Sequence, residues 1–292
     1  MTVDLRTTLG AVPIVRDVVR VAGPDALTYL QGQLSQDLAG LAVGASARAF
    51  LLQPAGKVDA WLRVTRVADD DLVLDVDPGH GDAVLARLRR FLLRTKADVD
   101  LLDWQALALR GPGAEAAAGE AMAELAVPAG WRSQGVDLLG PHVRGPLAVA
   151  AADDAAYESL RVRDGVPAMG TELTDATIPA EMGQWLVDAS VSFTKGCFTG
   201  QELVARIDSR GGNVPRHLRG LVVAGDAVPD AGAALHVDGA EVGRVTSVAP
   251  RPGGGAVAIA VVGRAVTPPA AAVVDIGSGS AAATVVDLPI ES

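Results

Sequence analysis

Near Pro215 the chain changes texture, and that change limits the fold more than any single motif does. Downstream, LRGLVVAG, AALHVDGAEVGRVTSVAP and AVAIAVVG are short Val-rich runs cut by Gly and Pro, the pattern of strands and turns. Asp238-Gly239 is a two-residue hairpin signal. GGGAVA, residues 253–258, has the spacing of a dinucleotide-binding loop. That loop must open a helix, whereas the following IAVVG is strand-like, so it reads as a turn. A separate all-β module, a small barrel, is expected over residues 216–292.

Residues 1–215 mix both periods. DVVRVAG reads as a strand, after which Pro24 and Asp25 open a helix with Leu27, Leu30, Leu34 and Leu38 on one face. AFLLQP, VDAWLRVTRV and DLVLDVD are strand-like, separated by AGK and ADDD turns. Residues 82–94 read as an amphipathic helix and KADVDLLD as a returning strand. WQALALRGPG is another strand, followed by the helical AEAAAGEAMAEL. DDAAYESLRVRDG is helical again, VSF (191–193) ends a strand and LVARI is a helix face. Strands and helices in this order predict an α+β layer with helices on one sheet face.

Composition excludes several functions. A formal net charge of −10 argues against a phosphate-backbone partner, so no direct nucleic-acid binding is expected. His80, His142, His217 and His236 show no metal-ligand spacing, and one cysteine supplies neither a zinc set nor a disulfide, so no metal site is expected. MTVDLRTTLG lacks the basic and apolar regions of a signal peptide. No apolar run approaches the roughly 18 residues of a membrane span. A cytoplasmic protein without a membrane partner is the expectation. Aromatics are only 3%, so the core must be Ala, Val and Leu, and the four tryptophans stand out.

The lone cysteine lies in FTKGCFTGQE, residues 193–202. Thr199 and Glu202 stand three apart before an apolar helical pattern, the spacing of a capping box, with Gly200 at the first helical position. Cys197 would then lie beside free amides and the positive end of a helix dipole, with Lys195 nearby, and these favour thiolate. Gly196 and Gly200 permit sharp backbone geometry and close approach of a ligand. The alternative is a small buried residue next to an ordinary helix start.

KGCFTGQE resembles the K-G-C-[FY]-x-G-Q-E signature of the YgfZ family, folate-binding proteins related to the glycine cleavage T protein. IPAE (178–181), then LVAR, RGG and PRHLRGL, and the early GPDALTYLQGQLSQDL follow that family's order across residues 23 to 221. The resemblance implies an α+β fold of pseudo-symmetric lobes around a central tetrahydrofolate channel, with a C-terminal β-barrel. It also implies a role in maintaining iron–sulfur client proteins, including those that modify tRNA.

Through the resemblance, Cys197 and Lys195 become the functional pair. Gly196, Gly200, Gln201, Glu202 and Arg206 become candidates to contact folate, and Glu181 a carboxylate in the channel wall. The T protein carries an acid where this chain has Cys197, which sets the chain apart from an ordinary aminomethyltransferase. Asp82, in a first helical turn, is the candidate acid if one-carbon transfer does occur. RVRDG (161–165) departs from the family's R-[IL]-E-A-G: Arg163 replaces the pterin-facing Glu. Either Asp164 substitutes, or pterin recognition differs, or the stretch is a solvated helix end. A non-catalytic scaffold with a vestigial channel is the third reading.

Overall fold

The computed structural model describes residues 3–277 and 279–291. In chain order, strands β1 (Gly10–Ile14) and β2 (Asp17–Ala22) lead into helix α1 (Ala26–Gln33). Strands β3 (Ser46–Leu52), β4 (Val58–Ala68) and β5 (Asp71–Val76), helix α2 (Gly81–Arg89) and strand β6 (Asp98–Leu102) follow. Next come β7 (Gln105–Arg110), the short α3 (Ala114–Ala118), β8 (Leu125–Pro128), β9 (Gly135–Gly140) and α4 (Asp154–Asp164). A 3-10 turn (Pro179–Met182), α5 (Gln184–Ser190) and α6 (Gln201–Ser209) complete the mixed region.

These strands form two open antiparallel sheets, ordered β3-β4-β5-β2-β6 and β1-β7-β9-β8. The remaining strands are β10 (Arg216–Val223), β11 (Ala234–Val237), β12 (Ala240–Pro250), β13 (Ala256–Gly263), β14 (Ala270–Ile276) and β15 (Gly279–Val286). They close a barrel in the order β10-β13-β12-β11-β14-β15. The Asp238-Gly239 hairpin is present, both residues at positive φ as a primed turn requires.

The unbroken apolar run AVAIAVVG has a physical reason. In β13, Ala256, Ala258, Ala260 and Val262 point into the barrel core. Val257 and Ile259 point the other way, into the main core built on the five-stranded sheet. A strand alternates its side chains between faces, so a strand buried on both reads as continuously hydrophobic.

Several elements differ from the sequence expectation. Helix α1 ends at Gln33: Leu34 is extended and bridges Leu51, while Leu34 and Leu38 remain buried outside the helix. Their helical spacing reflects two separate ways into one core. The helix expected over 82–94 stops at Arg89, and α3 spans only Ala114–Ala118. Residues 191–193 form no strand. No helix among the described residues is long and apolar enough to cross a membrane.

Candidate functional site

Two motifs far apart in sequence meet on one surface. The loop between α5 and α6 lies against the C-terminal end of α1, which carries QGQLSQD. Ser35 ties the base of the loop: its Oγ donates to Ser190 O at 2.6 Å, and its carbonyl accepts from Ser192 N at 3.0 Å. Thr199 N donates to Gly32 O at 3.3 Å. Lys195 Nζ donates to the carbonyls of Gln31, Leu34 and Gln36 at 2.6, 2.7 and 2.8 Å. An ammonium has three donors and no acceptor, so these contacts saturate it and cap carbonyls that α1 leaves open. Burial pushes the Lys195 ammonium down to about 8, partly offset by Asp37.

Two glycines shape the same surface. Gly200 takes φ +81°, and a Cβ there would sit 2.6 Å from Gln53 O. Gly56, in the AGK turn, has φ +78°, and its Cβ would meet Leu203 Cβ at 2.5 Å and Gly200 O at 3.1 Å. The β3–β4 hairpin and the start of α6 therefore pack backbone to backbone, which only glycine allows.

The expected capping box is absent. Gly200 is the left-handed residue at the helix start, and no side chain caps α6. Positive φ redirects the chain so that Glu202 faces solvent and pairs with Arg206, four residues on. Cys197 is exposed on this loop, as is Gly196, while Gln201 is half-buried.

The remaining expected residues lie elsewhere. Asp82 is exposed in the first turn of α2. The RVRDG stretch is not a solvated helix end, because Arg161, Val162, Arg163 and Asp164 are all buried. Asp164 accepts from Ser133 N, Ser133 Oγ and Arg6 at 2.8, 2.9 and 3.1 Å. Arg163 pairs with Asp4 at 2.7 Å. Glu181 accepts from Ile178 N at 3.1 Å and pairs with Arg216 at 2.8 Å, joining the 3-10 turn to the start of β10.

A cavity of about 910 Å³ opens where both sheets, α4 and the barrel converge, and none of the ten expected site residues lines it. Its walls include Trp61, Trp131 and Tyr157 with Arg16, Arg48, Arg110, Arg161, Asp77 and Asp137. The rings of Trp131 and Tyr157 meet at a 51° tilt with centroids 5.0 Å apart. Arg48 lies over Trp61 at 4.7 Å and Arg110 over Trp131 at 4.4 Å, both within cation–π range.

Behind that wall runs a buried ion network. Arg63 pairs with Asp75 and Asp137, each at 2.8 Å; Arg110 pairs with Asp137 at 2.7 Å; Arg16 pairs with Asp75 and Asp77. Burial opposes ionisation of Asp137, but Arg110, Arg63 and Arg16 hold its carboxyl well below the usual range. The same balance, led by Arg63 and Arg16, lowers Asp75. Arg48 is pushed down to about 10 by burial, and Arg63 and Arg16 add to the shift.

No protein-family model matches the chain. It is similar to the tRNA-modifying protein YgfZ of Edwardsiella ictaluri, 29% identical over 221 residues, covering 67% of this chain and 65% of the relative. It is also similar to the mitochondrial iron-sulfur cluster assembly factor IBA57 homolog of Pyricularia oryzae, 28% identical over 218 residues, covering 67% and 53%. The matched stretch falls short of two thirds of either relative's length. The glycine cleavage system aminomethyltransferase T from Bartonella henselae has TM-score 0.79 at 23% identity, covering 98% of this chain and 87% of that one, which shows a shared fold. The YgfZ resemblance and the expected α+β fold with a C-terminal barrel are both borne out.

Proposed function

We propose that the chain is a folate-binding factor that supports iron–sulfur cluster assembly or repair, and through its client proteins tRNA modification. The names of the relatives motivate the iron–sulfur and tRNA roles. The observation that carries the folate reading is the cavity of about 910 Å³, walled by two indoles, a phenol and guanidinium groups. Pockets for ligands of this size run from about 300 to 1,000 Å³, mostly apolar with a few fixed polar groups. A reduced folate has a flat pterin, an aromatic linker and an acidic tail that match such walls.

Cys197 has a different role in this reading. It is exposed on a loop outside the cavity lining, so its thiol serves partner proteins at the surface rather than the bound folate. Lys195 anchors that loop, Asp164 ties α4 to Ser133 and Arg6, and Glu181 joins the 3-10 turn to the start of β10. Asp82 lies outside the cavity lining, so it does not face a ligand bound there, and this reading gives it no part in one-carbon transfer.

Calorimetry with tetrahydrofolate is the test. Saturable binding supports the reading and removes the vestigial scaffold, whereas no binding by the folded protein refutes the folate role. For the thiol, Cys197→Ser is expected to abolish complementation of a strain lacking its own relative. Full rescue would remove Cys197 from the function.

A further inference from the structure

This acidic chain carries one concentrated basic stretch. Residues 83–97, which run from α2 to the approach of β6, hold Arg87, Arg89, Arg90, Arg94 and Lys96 and no acid, in a protein of net charge −10. Arg87 pairs with Asp59 at 3.4 Å and Arg89 with Asp100 at 3.0 Å. Arg90, Arg94 and Lys96 are exposed and make no ion pair among the described residues. Between them two large apolar side chains face solvent, Phe91 at 44% exposure and Leu93 at 86%. The turn that displays them is held in place. Leu92 packs on the main core, and the amides of Phe91, Leu92 and Thr95 donate to Leu88 O, Arg89 O and Leu92 O at 3.1, 3.3 and 3.1 Å. Arg87 and Arg90 lie over the Phe91 ring at 4.2 and 5.8 Å, so cations frame the aromatic.

The basic turn borders the thiol loop. Arg87 reaches Gln33 Oε1 at 3.4 Å and Leu52 O at 3.5 Å. From the other side, Thr199 N donates to Gly32 O, and a Cβ on Gly200 would sit 2.8 Å from Leu52 Cβ. The ends of α1 and β3 are thus shared between the basic turn and the loop that exposes Cys197. We propose that the turn is a docking surface for a partner protein, one that offers an acidic rim around an apolar pocket. Phe91 and Leu93 enter the pocket, and Arg90, Arg94 and Lys96 meet the rim. Aromatic and arginine side chains are the ones protein interfaces concentrate, and complementary charge steers the encounter. The observations favour a protein over other anions. Three such cations on a chain of net charge −10 are a small footprint for a phosphate backbone. A flat anionic bilayer would also meet Asp98 and Asp100, exposed beside the turn. The inference rests on the proposed function in one respect, that the Cys197 thiol acts on partner proteins; docking itself stands on charge and exposed apolar surface.

The test is selection of random phage-displayed peptides on the immobilised full chain, followed by calorimetry with the synthesised consensus peptide. The enriched peptides are expected to place Asp or Glu around a large apolar residue. Replacing those acids by their amides is expected to weaken the peptide at least about tenfold, which tests the charge on the wild-type protein alone. Arg90→Glu/Arg94→Glu is expected to weaken it as much, and Leu93→Ser to weaken it as well. These side chains are exposed, so both variants are expected to melt with the wild type. In a strain lacking its own relative, Arg90→Glu/Arg94→Glu is expected to lose complementation. No enriched peptide, a consensus without acids, equal binding of the amide peptide, equal binding by the charge-reversed variant, or full complementation by it would each overturn the proposal. Binding of tRNA or of phosphatidylglycerol vesicles in place of a peptide, lost in the same variant, would assign the turn to a different partner and overturn it too. Full complementation by Cys197→Ser, alongside its loss in Arg90→Glu/Arg94→Glu, removes the thiol role and leaves the docking surface.

Discussion

Replacing Lys195 by Met tests what holds the cysteine loop. Met keeps most of the apolar stem and deletes the ammonium, so the change isolates the three contacts with Gln31, Leu34 and Gln36. Each is a short, charge-assisted hydrogen bond, worth about 1.5–3 kcal/mol in buried settings. Lys195 is only half-buried and the freed carbonyls regain some water, so the three do not add. A total of about 2–4 kcal/mol is expected for the anchoring. Because the loop joins two helices at the surface, the loss is expected as local opening rather than global unfolding. The reporters are two amides, Ser192 N bonded to Ser35 O and Thr199 N bonded to Gly32 O. Their hydrogen-exchange protection is expected to fall about 30- to 700-fold, while core amides of β4 and β13 keep theirs. Lys195→Arg is expected to rescue only in part, since a planar fork does not converge on three carbonyls as an ammonium does. Unchanged protection of Ser192 and Thr199 in Lys195→Met would refute the reasoning.

Gly200→Ala forces a Cβ within 2.6 Å of Gln53 O at positive φ, and is expected to cost about 1–3 kcal/mol in a urea titration. Glu202→Ala is expected to change stability by less than about 0.5 kcal/mol, because the side chain is exposed and caps nothing. A loss near 1 kcal/mol would restore the capping box. Asp137→Asn strips Arg110 and Arg63 of a shared carboxylate and is expected to cost about 3–5 kcal/mol by thermal melting. Asp75 and Asp137 are held below the ordinary value of 3.8, so their contribution is fully present above that pH and is lost as pH falls from there through their lowered folded values. Acid unfolding monitored by circular dichroism is expected to set in below about pH 4, and a stability unchanged down to pH 2 would contradict the network.

The barrel was legible because its signals are local: Asp238-Gly239 makes its turn from its own φ preference, and the short Val-rich run of β13, bounded by glycines, reads as a strand without reference to its partners. The KGC and QGQ stretches were likewise visible, through resemblance, as important. Their contact was not, because Lys195 reaches backbone carbonyls some 160 positions away and a carbonyl has no sequence signature. The cavity was hidden for a related reason. Arg63 and Asp75 face each other across β4 and β5, but in sequence each is merely a polar residue in an alternating strand. Asp137 comes from the other sheet, so no local pattern predicts that it completes the pair. The only hint was Trp61, one of four tryptophans in a chain poor in aromatics, sharing a strand face with Arg63.

Trp61 also explains how two separate features belong to one design. Its ring lines the cavity, yet its indole Nε1 donates to Ser190 Oγ at 2.9 Å. Ser190 is the last residue of α5, and its carbonyl accepts from Ser35 Oγ, the residue that fixes the base of the cysteine loop. The cavity wall and the thiol loop thus share a continuous set of buried hydrogen bonds through Trp61, Ser190 and Ser35. Serine suits both positions because a hydroxyl donates and accepts at once: Ser35 Oγ gives to Ser190 O and takes from Phe50 N at 2.8 Å. Phe50 and Trp61 are cross-strand partners in β3 and β4, the strands that place Arg48 and Trp61 on the cavity wall. The loop that exposes Cys197 is therefore built on the same two strands that shape the cavity, although the thiol is not part of the cavity lining.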